Sequence, residues 1–71
     1  MNTQETIDYK KTDLMRNLIS ENYFMQLVIN TFNISLEFGK NTIDEICKLN
    51  NVDTNKFLDV ANSLLKKKYL Y

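Results

Sequence analysis

The residues that could do chemistry in this chain are few. There is one cysteine, Cys47, and no histidine. A zinc site of the usual four nitrogen and sulfur ligands therefore cannot be built within one chain, and a serine or cysteine nucleophile would lack its usual imidazole base. A metal site made of carboxylates alone needs several acids to converge. Glu21, Glu37, Asp44, Glu45, Asp53 and Asp59 are scattered instead, and most of them have a helix cap or a solvated face as their explanation. No metal and no cofactor is expected, and no enzymatic activity, because the general acid or base would have to be a carboxylate, lysine or tyrosine in a cleft that so small a core can hardly supply. Cys47 would be reactive at a helix start or beside basic groups. Its neighbours Ile43 and Ile46 place it on an apolar face, so core packing is expected, with a redox role as the alternative.

Two further patterns could contact phosphate. Gly39-Lys40-Asn41-Thr42 is like the end of a phosphate-binding loop, but that loop needs a glycine five residues upstream and a hydroxyl directly after the lysine, where this chain has Ile34 and Asn41. A turn followed by a helix cap explains the same residues. The run Lys66, Lys67, Lys68 closes a helix, where positive charge suits the dipole. Together with Asn55, Lys56 and Asn62 on the preceding turns it forms the candidate surface of a helix-turn-helix DNA-binding module, with helices at 43–50 and 54–66. Asp59 on the same outward face would repel phosphate, and the helix has no arginine.

These side chains must be positioned by helices. The chain has no proline and a single glycine, so helix breakers are scarce, while frequent asparagines favour caps and turns and keep the helices short. The expected fold is all-α: a compact bundle of four short helices at about 13–20, 23–32, 43–50 and 54–66, with a connecting loop over 33–41. Thr12 or Asp13 is the expected cap of the first helix, with Leu14, Leu18 and Ile19 inward. Asn22 is expected to cap the second, whose residues Phe24, Leu27, Val28 and Phe32 form an apolar stripe thickened by Met25 and Ile29. That breadth makes it the expected central helix. Thr42 and Glu45 have capping-box spacing, and Asp44 and Lys48 can pair one turn apart. Val52 is the expected apolar plug in the turn before Asp53, the cap of the last helix, which turns Phe57, Leu58, Ala61, Leu64 and Leu65 inward.

The 71 residues make one domain at most, with a net stability of roughly 4 to 10 kcal/mol by per-residue scaling. Residues 1–11 read as a flexible amino-terminal arm in which Ile7 and Tyr9 lie across the core, and 12–71 as the helical domain. Nine basic and nine acidic residues cancel, so no whole-chain field draws the protein to nucleic acid or anionic lipid. The single cysteine and the lack of a long apolar stretch or amino-terminal signal pattern point to the cytoplasm and away from membranes. Tyr69, Leu70 and Tyr71 are apolar for a free terminus, which is expected if they fold back or if the domain is the amino-terminal part of a longer protein.

Over about Leu14 to Leu65, with the organising stretch Phe32 to Cys47 at its centre, the sequence resembles the small helical amino-terminal domain of the ScdA-type iron-sulfur-cluster repair proteins, which precedes a hemerythrin-like di-iron domain. That family runs from a Phe-Gly-Ile helix end through a Cys-Cys-Gly-Gly turn into a Thr-Leu-Glu-Glu-Ala-Cys helix start, followed by a Gly-(Ile/Leu)-Asp joint. The matching positions are Phe32, Ile34, Gly39, Lys40, Thr42, Ile43, Asp44, Glu45 and Cys47, then Val52, Asp53, Phe57 and Leu58. The cysteine pair falls on Glu37 and Phe38, one turn glycine is missing, and Asn33 replaces the glycine after the phenylalanine. The resemblance therefore implies the scaffold without the thiol function. Its implied role is an interaction or regulatory module that docks to a carboxyl-terminal domain or to a second copy as a homodimer. The residues expected to meet such a protein partner are Leu36, Phe38, Gly39 and Lys40 of the loop, with Tyr69 and Tyr71. The alternative for Leu36 and Phe38 is that they cap this domain's own core.

Overall fold

The computed structural model describes residues 8–68, and for residues 67 and 68 the helical backbone alone. Four helices are present: α1 (Met15–Glu21), α2 (Met25–Thr31), α3 (Ile43–Leu49) and α4 (Thr54–Lys68). Among the described residues there are no strands, and the only bridge is an isolated antiparallel one between Leu14 and Thr42. The expected all-α globule of four helices is thus borne out. α4, the longest, packs against both α2 and α3, while α1 packs against α2.

The start of α3 shows how these short helices are held. The amide groups at a helix start have no intrahelical acceptor. In α3 the Thr42 N–H donates to Glu45 Oε1 at 2.8 Å and the Glu45 N–H donates to Thr42 Oγ1 at 3.1 Å, completing the expected capping box. The other two amides reach further: the Ile43 N–H donates to the Asp13 carbonyl at 2.8 Å and the Asp44 N–H to the Lys11 carbonyl at 3.1 Å. In return, the Met15 N–H of α1 donates to the Asn41 carbonyl at 3.1 Å. The lead-in segments of α1 and α3 therefore cap each other's helix through backbone groups.

This exchange corrects the expected start of α1. Neither Thr12 nor Asp13 caps it. The cap position is Leu14, half-buried and with no side-chain hydrogen bond, and the Asp13 carboxylate instead accepts the Lys10 N–H at 2.8 Å. α2 likewise begins at Met25 rather than at 23, with Phe24 at its cap position. The Asn22 side chain turns inward and donates to the Leu18 carbonyl at 3.1 Å. Nor is α2 buried on most sides. Met25, Val28 and Ile29 face the core, but Leu27 is 70 % exposed.

Both α2 and α3 end in the same way. Asn33 and Asn51 adopt left-handed φ values of 60° and 59°. The Ile34 N–H then reaches the Ile29 carbonyl at 3.0 Å and the Val52 N–H the Cys47 carbonyl at 2.8 Å, the bonds of a Schellman motif with asparagine in place of glycine. Ile34 is buried and Val52 packs on the core from its turn as expected. Asn50 links the two ends: its Nδ2 donates to the Ile46 carbonyl at 2.8 Å and its Oδ1 accepts the Ser35 N–H at 3.2 Å.

The core closes over α4 through Phe57, Ala61 and Leu65, with the Phe32 ring set edge-on to Phe57 at 5.4 Å. Asp53 caps α4, its Oδ1 accepting the Lys56 N–H at 3.2 Å. Leu64 departs from the expected inward set, being 38 % exposed.

Candidate functional site

The loop between α2 and α3 divides its two apolar candidates. Phe38 is half-buried against the core, so it caps this domain's own interior, whereas Leu36 is 60 % exposed. The loop bends at Leu36, where the Glu37 N–H donates to Ser35 Oγ at 3.3 Å, and turns after Phe38, where the Asn41 N–H donates to the Phe38 carbonyl at 3.1 Å. Gly39 has a φ of 55°, a left-handed backbone that explains the only glycine in the chain. Gly39 and Lys40 are both exposed. Tyr69 and Tyr71 lie outside the described residues.

Cys47 sits on the inner face of α3, with no exposed surface. Burial pushes its thiol above the ordinary cysteine range, which disfavours the nucleophilic thiolate. At the start of α3, Asp44 pairs with Lys48 at 3.0 Å and accepts the Thr54 hydroxyl at 2.8 Å. These two hydrogen bonds hold its carboxyl below the usual range, Lys48 contributing most. The group thus serves to tie α3 to the first residue of α4. Among the described residues no three potential metal-ligating side chains come together, and no helix is long and apolar enough to cross a membrane.

Of the residues considered for DNA reading, Asn55, Lys56 and Lys66 are exposed on α4, and the side chains of Lys67 and Lys68 lie outside the described set. Asn62 is not on that face. It is half-buried and clamps the backbone of Tyr9, accepting its N–H at 2.9 Å and donating to its carbonyl at 3.1 Å. An asparagine amide carries a donor and an acceptor side by side, so it can pair with both backbone groups of one extended residue. α3 and α4 are joined by residues 50–53, and Asp53 and Asp59 both stand exposed in the first half of α4 or its cap.

The Tyr9 clamp is the most developed polar cluster among the described residues. Of the two arm residues expected to lie across the core, Tyr9 does so, being only 7 % exposed, and Ile7 lies outside the described residues. Its hydroxyl donates to Glu21 Oε1 and accepts from Asn22 Nδ2, the latter at 3.0 Å. Burial and the hydrogen bond to Glu21 push the phenol up to about 12. A phenol held neutral by a buried site is a structural anchor. Every polar atom of Tyr9 is consumed in fastening the arm to α1 and α4.

Three further exposed apolar side chains escaped the sequence reading. Tyr23 is 80 % exposed, Leu27 70 % and Leu49 72 %. Leu49 borders an open depression of about 420 Å³ lined also by Asn41, Glu45 and Lys48. Leu27 stands on the outer side of α2 beside exposed Gln26, Asn30 and Thr31, and Tyr23 lies in the turn that leads into the helix. A signal for this face was present in the sequence: the fifteen residues 22–36, between Glu21 and Glu37, carry no charge. Such a run is easily taken for core, and only the structure separates its buried side from its exposed one.

Compared with known proteins, the chain matches no family model, no curated protein and no solved structure.

Proposed function

We propose that this chain is a non-enzymatic interaction module: a small helical scaffold that offers apolar side chains to a protein partner. That partner is either a domain following it in a longer chain or a second copy of itself. The observation that carries the reading is the exposure of Tyr23, Leu27, Leu36 and Leu49 on a domain this small. Exposed large apolar side chains are candidates for association surfaces, and aromatic residues are enriched where proteins meet. Tyr9, Glu21, Asp44 and Asn62 are occupied in holding the fold together. The ScdA-type resemblance is consistent with such a scaffold, stripped of thiol chemistry because Glu37 and Phe38 occupy the positions of that family's cysteine pair.

The test is solution mass by light scattering over a concentration series, alone and with a short DNA duplex. The expected result is a mass that rises above the 8.4 kDa monomer and does not respond to duplex. A monomer at every concentration that binds duplex with a steep salt dependence would overturn the reading in favour of a helix-turn-helix module. The four-residue joint between α3 and α4 is the observation favouring that second reading. Asp59 and the inward turn of Asn62 weigh against it.

A further inference from the structure

Tyr9 is held in the manner of a bound ligand. Its partners lie far along the chain: Asn62 of α4 accepts its N–H at 2.9 Å and donates to its carbonyl at 3.1 Å, Asn22 Nδ2 donates to its hydroxyl at 3.0 Å, and Glu21 accepts from that hydroxyl. The seat is one residue wide, since Tyr9 is buried while Asp8 and Lys10 on either side of it are exposed. Its two halves read different things. The N–H and carbonyl of one residue point the same way only in an extended segment, so the Asn62 amide pairs with them as a neighbouring strand would, whatever the side chain. Glu21 and Asn22 read a hydroxyl at the far end of an aromatic ring.

The walls of this seat are fixed without their occupant. Asn22 is 2 % exposed and is tied to its own helix: its Nδ2 and its N–H both donate to the Leu18 carbonyl at 3.1 Å, and its carbonyl accepts the Met25 N–H at 2.8 Å. Asn62 follows the fully buried Ala61 on α4. The chain after Tyr9 is fastened separately, through the Lys11 and Asp13 carbonyls that accept from the start of α3. Tyr9 can therefore swing out about Lys10 while residues 11–13 stay in place. We propose that this seat is a recognition slot for an extended peptide segment bearing tyrosine, that Tyr9 fills it in cis, and that such a segment of a partner protein takes it when the arm swings out. Phenylalanine is rejected because it leaves one N–H of the buried Asn22 amide without an acceptor. Phosphotyrosine is rejected because its phosphate meets the Glu21 carboxylate. The slot is separate from Tyr23, Leu27, Leu36 and Leu49, whose test is solution mass, so failure of either reading leaves the other standing.

A single seated residue binds weakly, with a Kd of about 1 mM, and the tethered arm competes at an effective concentration of about the same order. The test therefore empties the slot with Tyr9→Ala in the full chain. The variant is titrated to about 10 mM with the acetylated and amidated tripeptide Asp-Tyr-Lys, the sequence of residues 8–10, and the asparagine side-chain amides are followed by NMR. Saturable binding is expected to return the Asn22 and Asn62 amides to their wild-type positions. The phenylalanine and phosphotyrosine tripeptides are expected to bind about tenfold more weakly or worse, and adding Asn62→Ala is expected to abolish binding. A folded Tyr9→Ala chain that the peptide does not shift overturns the proposal, as do equal affinities for the tyrosine and phenylalanine peptides. Should Tyr9→Ala fail to fold, hydrogen exchange in the wild-type chain decides. The Tyr9 N–H is expected to exchange through a local opening that dilute urea does not accelerate, while Ala61 and Leu65 exchange with the whole fold. A Tyr9 N–H that opens only with the whole fold overturns the proposal.

Discussion

The helix pairs α1–α2 and α3–α4 are similar in plan and differ in how their helices begin. α3 opens on the Thr42–Glu45 capping box and α4 on Asp53. α1 and α2 open on Leu14 and Phe24, neither of which makes a side-chain cap hydrogen bond. Seven-residue helices are too short to persist alone in water, so the uncapped pair must be supported from outside. Its support comes from Tyr9, held between Glu21, Asn22 and Asn62, and from the backbone exchange between Lys11, Asp13, Met15 and the start of α3. One pair opens on side-chain caps; the other opens on backbone groups, the Met15 N–H on the Asn41 carbonyl and the Met25 N–H on the Asn22 carbonyl, while α3 in turn also takes the Lys11 and Asp13 carbonyls. Their helix ends, by contrast, are alike, since both Asn33 and Asn51 close a Schellman turn.

The difference should break first at Tyr9. Tyr9→Ala removes a buried aromatic together with its hydrogen bonds, an expected loss of about 3 kcal/mol, large beside the total stability of so small a domain. Native-state hydrogen exchange should show α1 and α2 opening before α3 and α4. Uniform loss of protection in all four helices would show that the two halves do not differ in this way.

A gentler perturbation of the same anchor is alkali. The folded Tyr9 phenol, pushed up to about 12 by burial, lies above its unfolded value near 10. Its contribution is therefore complete below pH 10 and is lost as the pH climbs through the folded value, by an amount on the order of 2 kcal/mol. Urea midpoints measured between pH 9 and pH 12 should fall for the wild type, and more steeply than for Tyr9→Phe, which has no phenol to titrate. Parallel curves would remove the phenol from the alkaline response.

The smallest expected effect lies in the self-capped half. Thr42→Ala should cost about 1 kcal/mol, the typical value of an N-cap. Urea denaturation checks the magnitude. A markedly larger loss would mean that the capping box also holds the Lys11 and Asp13 carbonyls in place.

What could be read in advance divides along the same line. Thr42, Glu45, Asp53 and the Asp44–Lys48 pair act on groups within one turn of themselves, and all were legible from spacing. Asn22 was expected to act on the helix following it. Its amide donates instead to the Leu18 carbonyl behind it and to the Tyr9 hydroxyl, which is brought there from thirteen residues away. Asn62 was expected to face solvent, and its partner is the Tyr9 backbone, fifty-three residues distant. In the candidate surface, Leu36 of the loop stands exposed. Phe38 beside it went to the core, and the exposure of Leu27 was missed because an apolar residue on a two-sided stripe can face either way.

The helical class, the asparagine joints and the capping box of α3 follow from local spacing alone, because caps and turns act through atoms a few bonds apart. Tertiary structure decided which side of α2 is covered and where Asn22 and Asn62 point. It also decided how the remaining amides of α3 are satisfied, two by its own capping box and two by carbonyls of the segment leading into α1. Those choices depend on which distant surfaces cover these groups and exclude water from them, and local spacing carries no record of that.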